Sequence, residues 1–572
     1  MEVKWTKEQE QVINLRDRNL LVSAAAGSGK TAVLVERIIK RITDIDNPVD
    51  IDKILVVTFT KAAAAEMRER ISDALEALRE DNPEDENLQR QSTLIHNALI
   101  TTIDSFCLFA VRNHFGEINL DPNFRIADTG EIKLLESDVL NECFEANYGR
   151  KDNQAFFNLI DLYAGSRNDD KVREMVLKIY HMAQSDSWPK AWIKSLGDMY
   201  NTASEDELLV TPIFLGIASY ITNLLTDYRH TLCKLREIAL EEDGPQKYLP
   251  TLDNDISSLE KIDDIDDFKG LFSFFESFSM GNLAAIRDKD ASEEKKLKKE
   301  KVQTGRNKIK KEIEDIRKEY FSSDITKIRE QLNRLQPIVD ELIRIAIEYT
   351  DAVDEKKRQK RIVDFNDIEH FALRIFVDEN TKEATSTARE FREHFEEIMI
   401  DEYQDSNQVQ EDILCSISKM SDGRNNMFMV GDVKQSIYRF RLARPELFMH
   451  KYNTYSTQDS DSQRIDLHKN FRSRSEVLDF ANDIFYKVMQ MDMGGVAYDK
   501  DSALYLGADY PAAQDKKAEL LLIDTKEEDF AKVLEDEEKS VRIEALVVAQ
   551  KINDMMAKMQ ITDKKSRQLL AL

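Results

Sequence analysis

Short apolar runs alternate with longer amphipathic segments over the first 115 residues of the chain. The runs at 20–23, 54–58 and 100–102 have the length of buried strands, whereas the segments between them carry apolar residues at a helical spacing. Strands that alternate with helices form βαβ units. The pattern therefore predicts an α/β fold with a parallel sheet.

The strand pattern stops near residue 116 and returns near residue 365. The sequence between these points is charged and helix-periodic, with few glycines or prolines, which predicts a large all-α insertion. Further apolar runs lie at 396–400, 427–430 and 465–467. We therefore expect the sheet that begins before residue 115 to be completed after the insertion.

These patterns predict three regions and, in the last of them, one further strand and one helix. The regions are a first α/β domain (1–115 and 366–463), a helical insertion (116–365) and an incomplete second α/β domain (464–572), with the strand at 519–523 and the helix at 543–558.

Composition is that of an ordinary soluble protein: the 572 residues are 33% charged and 42% hydrophobic. No apolar run approaches the roughly 20 residues of a membrane span, and the N-terminus lacks the core of a signal peptide. The cysteines are far apart, which favours a reducing compartment and disfavours a zinc or iron–sulfur site. We expect a cytoplasmic protein without membrane contact. The cysteines are Cys107, Cys143, Cys233 and Cys415.

The net charge of −27 counts mildly against nucleic-acid binding, because phosphate contacts usually leave a basic footprint. Net charge describes the bulk field, however, and not the potential of one groove. A lysine-rich stretch at 288–318 has two interpretations. Interspersed glutamates favour a solvated helix pair with i,i+4 ion pairs, and the alternative is a contact with duplex DNA.

The segment AAAGSGKT, here called the glycine loop (residues 24–31), lies between a predicted strand and a predicted helix at 32–41. Its backbone N–H groups and the helix N-terminus can surround a phosphate chain. Lys30 would reach the β- and γ-phosphates, and Thr31 would bind Mg²⁺. The predicted nucleotide-binding residues of the loop are Ala24, Ala25, Ala26, Gly27, Ser28, Gly29, Lys30 and Thr31.

The apolar run at 398–400 ends in Asp401 and Glu402. The carboxyl end of a parallel strand is where an α/β sheet places its chemistry. Asp401 can hold the metal, and Glu402 can orient and deprotonate the attacking water. Neither motif is decisive alone, but their joint occurrence predicts hydrolysis of a magnesium nucleotide.

Gln9 precedes the glycine loop, and its amide matches the hydrogen-bonding edge of adenine. Without context, a surface residue of a helix is the favoured alternative. In NFRS (470–473), Phe471 could cover the adenine ring and Arg472 could act as an arginine finger from the second domain. The tetrapeptide alone is nearly uninformative.

Two loops that follow predicted strands combine hydroxyls, aromatic rings and a cation. Such groups suit the phosphates and sugars of a nucleic-acid backbone, and the alternative is a threonine helix cap beside a buried phenylalanine. A third segment, GDVKQSIYRFR, here called the linking segment (residues 431–441), places Gln435 to sense a γ-phosphate, just before aromatic residues that can stack on bases. The predicted DNA-binding residues are Thr58, Phe59, Thr60, Lys61, Thr102, Ser105, Phe106, Tyr438, Phe440 and Arg441.

These motifs, in this order, resemble those of the UvrD/Rep-like superfamily 1 DNA helicases. The resemblance implies two RecA-like motor domains, the first with a P-loop, and ATP-driven 3′–5′ movement along single-stranded DNA with Mg²⁺. It gives catalytic roles to Lys30, Thr31, Asp401, Glu402, Gln435 and Arg472. The motifs are WTKEQ, AAAGSGKT, TFTKAAAAEMRER, TTIDSFC, IDEYQD, VGDVKQSIYRFR and NFRS.

Some features depart from plain UvrD and Rep helicases. Ile103-Asp104 replaces Phe-His, and Phe440 replaces a stacking tryptophan. With the long insertion, DFNDIE (364–369) and ALYLGADYP (503–511), they are more similar to the AddA (RexA) branch of bacterial AddAB helicase–nucleases, or to RecB. That branch implies double-strand break repair with an AddB/RexB-like partner subunit, acting on single- and double-stranded DNA.

The later motor motifs and the nuclease domain of that branch do not occur in these 572 residues. We therefore expect a fragment of a longer protein, with exonuclease activity only in the full-length form. Two alternatives remain open. One is a stand-alone UvrD/PcrA-type helicase without a nuclease, and the other is a non-catalytic fragment that binds DNA or a partner.

Overall fold

A computed structural model describes residues 4–163, 168–265, 267–286, 292–490, 496–510, 517–523, 539–558, 560–562 and 569–571. The chain divides into two compact units. The first is Met1–Arg472 with Ile484–Ala508, and the second is Ser473–Asp483 with Asp509–Leu572.

Strands of two to six residues carry the sheet structure. In chain order they are β1 (Asn19–Ala24), β2 (Ile54–Thr58), β3 (Ile100–Thr102), β4 (Arg125–Ile126), β5 (Ile362–Val363), β6 (Glu397–Ile400), β7 (Met427–Gly431), β8 (Ser462–Leu467), β9 (Lys469–Asn470), β10 (Tyr505–Leu506), β11 (Gln560–Thr562) and β12 (Leu569–Ala571).

Helices make up most of the remaining described structure. In chain order they are α1 (Lys7–Asn14), α2 (Lys30–Ile42), α3 (Lys61–Asp81), α4 (Glu86–Leu94), α5 (Ile103–His114), α6 (Thr129–Gly149), α7 (Gln154–Tyr163), α8 (Asp170–Ala183), α9 (Pro189–Ser195), α10 (Glu205–Leu209), α11 (Pro212–Leu240), α12 (Leu249–Glu260), α13 (Phe268–Ser277), α14 (Glu293–Tyr320), α15 (Ile325–Lys360), α16 (Phe365–Phe376), α17 (Ser386–His394), α18 (Gln408–Ser416), α19 (Pro445–Thr454), α20 (Ser475–Val488) and α21 (Lys539–Lys558).

The first unit is built on a six-stranded parallel sheet in the order β3-β2-β6-β7-β1-β8. Strands β2, β6 and β7 are buried along their whole length, because helices cover both faces of the sheet. One face packs on α1, α2 and α3, and the other on α5, α16 and α18. The carboxyl ends of the strands therefore meet at one edge, with β1, β7 and β6 adjacent.

The strands predicted before residue 115 and after residue 365 are confirmed, but one domain boundary is wrong. Strand β8 pairs with β1 from Asn19↔Ser462 to Ala24↔Leu467. Residue 464 therefore belongs to the first sheet, and a second domain cannot begin there. The strand predicted at 519–523 is also wrong, since these residues have no strand structure. The helix predicted at 543–558 is confirmed as part of α21.

The insertion is helical over most of its described residues, with cores formed by α11–α14 and by α6–α8 with α15. It is not wholly helical, because β4 and β5 pair in parallel, with Arg125 opposite Ile362. This pair joins the two ends of the insertion beside the sheet. The insertion is therefore mainly helical, and the prediction that it is all-α is wrong for β4 and β5.

The lysine-rich stretch forms most of α14. Lys298 lies 3.0 Å from Glu294 and 2.8 Å from Glu241, and Arg306 is buried against Asp255 at 2.7 Å. These contacts favour the interpretation of a solvated helical segment held by ion pairs. The segment is one long helix, however, and not the predicted pair of helices. A contact with duplex DNA stays a prediction. Among the described helices, none has the length and apolar character needed to cross a membrane.

Candidate active site

The glycine loop connects the end of β1 to the start of α2. Gly27 and Gly29 have φ values of 71° and 84°, which glycine adopts without strain. A Cβ on Gly27 would lie 2.6 Å from Nδ2 of Asn470, so no larger residue fits there. The N-cap, Gly29, has no side chain to cover the first N–H groups of α2. These N–H groups and the helix dipole suit an anion.

Lys30 contacts the acidic residue at the end of β6. Its Nζ lies 3.0 Å from Oε1 and 3.2 Å from Oε2 of Glu402. Glu402 has a φ of 53°, an uncommon conformation for a residue with a side chain, and this conformation turns the chain sharply after the strand. The structure thus brings together the two motifs that the sequence analysis assigned to one site.

Asp401 is a suitable ligand for a hard cation. Burial, with the negative charge of Glu402 added, raises the pKa of Asp401 to about 6. A divalent cation would offset both effects. Thr31, in the first turn of α2, adds a hydroxyl oxygen, and oxygen ligands are those that Mg²⁺ prefers. The residues at this edge therefore fit the predicted metal.

Gln9 is not a surface residue, so that alternative is wrong. It is 5% exposed, and its Nε2 donates to the carbonyl of Ser28 at 3.0 Å. Its Oε1 accepts from the N–H of Thr6, in a capping box that starts α1. The amide is therefore held against the glycine loop, and each of its polar atoms can still make one more hydrogen bond.

A cavity of about 430 Å³ opens beside Gln9, with Ser28, Phe471 and Tyr505 also in its lining. Its position between the glycine loop and an aromatic ring agrees with the predicted base-binding role of Gln9 and Phe471. This role stays a prediction.

The segment that carries Arg472 is fixed on the glycine loop. Asn470 Nδ2 donates to the carbonyl of Ala26 at 2.6 Å, and the N–H of Phe471 donates to the carbonyl of Gly27 at 2.8 Å. Arg472 belongs to the first unit, which corrects its assignment to a separate second domain. Asn470 is the first residue of NFRS and was not among the predicted site residues.

Two further residues that the sequence analysis missed link the ends of β6 and β7. Gln404 Nε2 donates to Glu402 Oε2 at 2.7 Å, and its Oε1 accepts from the N–H of Asp432 at 3.0 Å. Asp432 in turn accepts from Nε2 of Gln435 at 2.8 Å. The predicted base and the predicted phosphate sensor are therefore joined through two buried side chains.

The aromatic residues of the linking segment lie beside the loop that follows β2 and contains Phe59. The rings of Phe59 and Tyr438 are 4.5 Å apart, and those of Tyr438 and Phe440 are 5.9 Å apart. Phe440 is 76% exposed. Thr60 caps α3 through its hydroxyl, and Lys61 is exposed. The side chain of Arg441 lies outside the described residues.

Three predicted DNA contacts are corrected by burial. Phe106 has no exposed surface and packs on Phe376 in the core, so its predicted DNA contact is wrong. Thr58 is 1% exposed and donates to the carbonyl of Thr60. Thr102 is 5% exposed and caps α5, with its hydroxyl 2.9 Å from that of Ser105. The alternative of a threonine cap beside a buried phenylalanine is confirmed for the second loop.

Two of the departures noted in the sequence meet in the interior. Glu369 of DFNDIE is buried, and burial together with the charge of Asp104 raises its pKa to about 7. Gln410 donates to Glu369 at 2.7 Å and Asn407 at 3.3 Å, both from the start of α18. Asp104 thus pairs with an acid from the other unusual segment.

Comparison with known proteins gives one family match and close relatives. The sequence profile of the UvrD/REP helicase N-terminal domain matches residues 5–456. A protein of Lachnoclostridium phytofermentans, named as a subunit of an ATP-dependent helicase/nuclease, is 43% identical over 545 residues, which is 92% of this chain and 39% of that protein. This match agrees with the motif order.

Proteins of the same name from Clostridium beijerinckii and Bacillus licheniformis are 41% and 40% identical over 97% and 98% of this chain. The chain spans less than half the length of each of these relatives, 46% in both cases. The resemblance drawn from the motifs is confirmed.

Proposed function

We propose that this chain, which belongs to the UvrD/REP helicase family, is the ATP-hydrolysing part of a DNA helicase that works in DNA repair within a helicase–nuclease complex. The observation that carries the proposal is the contact of Lys30 with Glu402, which joins the glycine loop to the acidic strand end. Gln435 lies on the adjacent strand end and is connected to Glu402.

In this proposal, ATP is the substrate and the glycine loop is the P-loop of a RecA-like domain. The loop N–H groups and Lys30 bind the phosphate chain, and Lys30 leaves Glu402 to do so. Glu402 is then free to accept a proton from the attacking water. Thr31 and Asp401 would hold Mg²⁺, which neutralises phosphate charge when bound. Gln9 and Phe471 contact the adenine, and Arg472 stabilises the charge that develops on the phosphate.

The linking segment connects this chemistry to DNA. Gln435 is bonded at the nucleotide edge, whereas Phe440 presents an exposed ring on the same segment. Stacking on aromatic rings grips single-stranded DNA without regard to sequence. We propose that the protein moves along the single strand in the 3′–5′ direction. We also propose that Phe59, Thr60, Lys61 and Tyr438 contact the same strand as Phe440.

For the whole protein we propose an AddB/RexB-like partner and a nuclease activity. Both rest on the name of the relatives, which describes one subunit of an ATP-dependent helicase/nuclease. We also propose a cytoplasmic location, because Cys107, Cys143, Cys233 and Cys415 are free thiols.

The test is ATP hydrolysis by the full-length protein with and without single-stranded DNA. The expected result is hydrolysis that DNA stimulates and that Lys30→Ala removes. Lys40→Ala is the matched control, since Lys40 lies on the exposed side of the same helix, where it contacts Asn14. Hydrolysis that survives Lys30→Ala would show that the glycine loop is not the nucleotide site.

A further inference from the structure

Gln404 is a buried polar side chain at the centre of the acidic strand end. It is 1% exposed and lies between the ends of β6 and β7. Its Nε2 is 2.7 Å from Glu402 Oε2 and 3.2 Å from Asp405 Oδ2, and its Oε1 is 3.0 Å from the N–H of Asp432. A buried amide with this many partners is held in one orientation.

The chemistry of the partners fixes which end of the amide faces which group. The N–H of Asp432 can only donate, so the atom that it meets must be the carbonyl oxygen of Gln404. The NH₂ group must then face Glu402 and Asp405, which both offer acceptor oxygens. The two hydrogens of the amide nitrogen thus bond two carboxylates. A carboxylic acid at this position has only one hydrogen and could bond only one of them.

The strand end is shaped to hold this amide. A Cβ on Gly431 would lie 2.4 Å from Oε1 of Gln404, so the last residue of β7 leaves room for the side chain only as glycine. Burial, with the charge of Glu402 added, raises the pKa of Asp405 to about 6. The donor of Gln404 therefore stands where negative charge is concentrated and poorly solvated.

The hydrogen bonds continue past Gln404 to the linking segment. Asp432 is 2% exposed, and its carboxylate accepts from Gln435 Nε2 at 2.8 Å and pairs with Lys434 Nζ at 2.8 Å. Gln435 is therefore connected to Gln404 through Asp432, whose backbone N–H donates to Gln404. Gln404 in turn holds one oxygen of Glu402.

We propose that Gln404 is a positioning residue for ATP hydrolysis, which orients the carboxylate of Glu402 and couples that orientation to Gln435 through Asp432. The proposal rests on the function proposed above. It predicts that Gln404 and Gln435 act as one unit in the rate of hydrolysis, although they contact different groups. It predicts little change in nucleotide affinity, because Gln404 faces Glu402 and not the glycine loop.

The test is a double-mutant cycle in the full-length protein, with Gln404→Ala, Gln435→Ala and the pair. We expect Gln404→Ala to lower kcat about 10²-fold, within the usual contribution of a general base. The dissociation constant of a fluorescent ATP analogue should change less than about threefold. The double variant should lose no more than the worse single variant, whereas independent residues would multiply their losses.

Gln408→Ala is the matched control, since Gln408 is a nearby glutamine that bonds Asp412 on α18 and does not contact Glu402. Multiplied losses, or a kcat for Gln404→Ala equal to that of the control, would overturn the proposal. If wild-type protein does not hydrolyse ATP, or Lys30→Ala leaves hydrolysis unchanged, the proposed function fails instead.

Gln404→Glu covers the case in which Gln404→Ala does not fold, because it keeps the size of the side chain and an oxygen for the N–H of Asp432, and it replaces the donor to Glu402 and Asp405 with a second carboxyl oxygen. Thermal unfolding and circular dichroism report the fold. A folded Gln404→Glu protein with lowered kcat supports the proposal, and one with wild-type kcat overturns it.

Discussion

The linking segment joins two regions that differ sharply in packing. At its start, Asp432 is 2% exposed and its side chain bonds Gln435 and Lys434. Near its end, Phe440 is 76% exposed and Ile437 is 69% exposed. Within a few residues the chain passes from a buried polar network to a surface of large apolar side chains.

The difference fits two kinds of recognition. A phosphate chain and its hydrolysis require groups at fixed distances, and the bonds among buried partners provide that. A single strand of any sequence requires rings that can adjust to successive bases. In the proposed function, the buried region would therefore govern the chemical step, and the exposed region would govern affinity for DNA. The variants below separate the two.

The largest expected effect is at Lys30. Lys30→Ala removes the cation that the glycine loop directs toward Glu402, so hydrolysis should be abolished and Mg-ATP binding weakened. The measurements are steady-state phosphate release and titration with a fluorescent ATP analogue. DNA affinity without nucleotide should stay near wild type. Loss of DNA binding in this variant would mean that the two regions are not separable.

Glu402→Gln should differ in kind from Lys30→Ala. It keeps Asp401 for the metal and removes the base, so nucleotide should still bind while kcat falls by about 10²–10⁴-fold. Single-turnover hydrolysis measures the chemical step directly. If nucleotide affinity falls as much as kcat, Glu402 serves binding and is not the base.

Much of the first sheet was predictable from the sequence because buried parallel strands appear as continuous apolar runs. Strand β8 was harder to assign to a domain, since its burial alternates at the sheet edge. The pair β4 and β5 has two residues in each strand, too few for any periodicity. The run at 519–523 shows that apolar character alone does not establish a strand.

The residues of the candidate site also divide into those that were predictable from the sequence and those that were not. Lys30 and Glu402 were predictable because local chemistry, a glycine turn and a strand end, defines them. Gln404 and Asn470 were missed because their partners, Asp432 and Ala26, are distant in the chain. Long-range contacts of this kind leave no local pattern.

The burial of Phe106 was predictable from the spacing of apolar residues in α5. Residues 106, 107, 110 and 111 are the buried positions of α5, at the spacing of one helix face. That spacing places Phe106 in the core. A hydroxyl beside an aromatic ring is therefore weak evidence for DNA contact unless the ring lies off the apolar face of the helix.

Phe440→Ala tests the exposed region. Loss of one stacking ring should weaken binding of an oligo-dT strand by about 1–3 kcal/mol, or roughly 5–150-fold. DNA stimulation of hydrolysis should be lost, and hydrolysis without DNA largely kept. Fluorescence anisotropy measures the affinity. Tyr220→Ala is the control, because Tyr220 is an aromatic residue of the insertion that is 57% exposed. Unchanged affinity for oligo-dT in Phe440→Ala would remove Phe440 from the DNA surface.

The smallest expected effect concerns Glu369, a buried acid that lies outside both regions. It faces Asp104 at the start of α5 and bonds Gln410 at the start of α18, which follows the acidic strand end. Its pKa is raised to about 7 by burial first and by Asp104 second. Between its ordinary pKa and this value, the folded protein holds a proton that the unfolded chain releases. Stability therefore falls as pH rises through about 5 to 7.

Glu369→Gln resembles the protonated acid at every pH, so it should lose less stability than wild type between pH 5 and pH 8, by on the order of 1 kcal/mol. Urea unfolding at both pH values measures the difference. Glu393→Gln is the control, since Glu393 is an exposed acid paired with Arg424 at 3.0 Å. An equal loss of stability in wild type and Glu369→Gln would mean that Glu369 is ionised in the folded protein throughout this range.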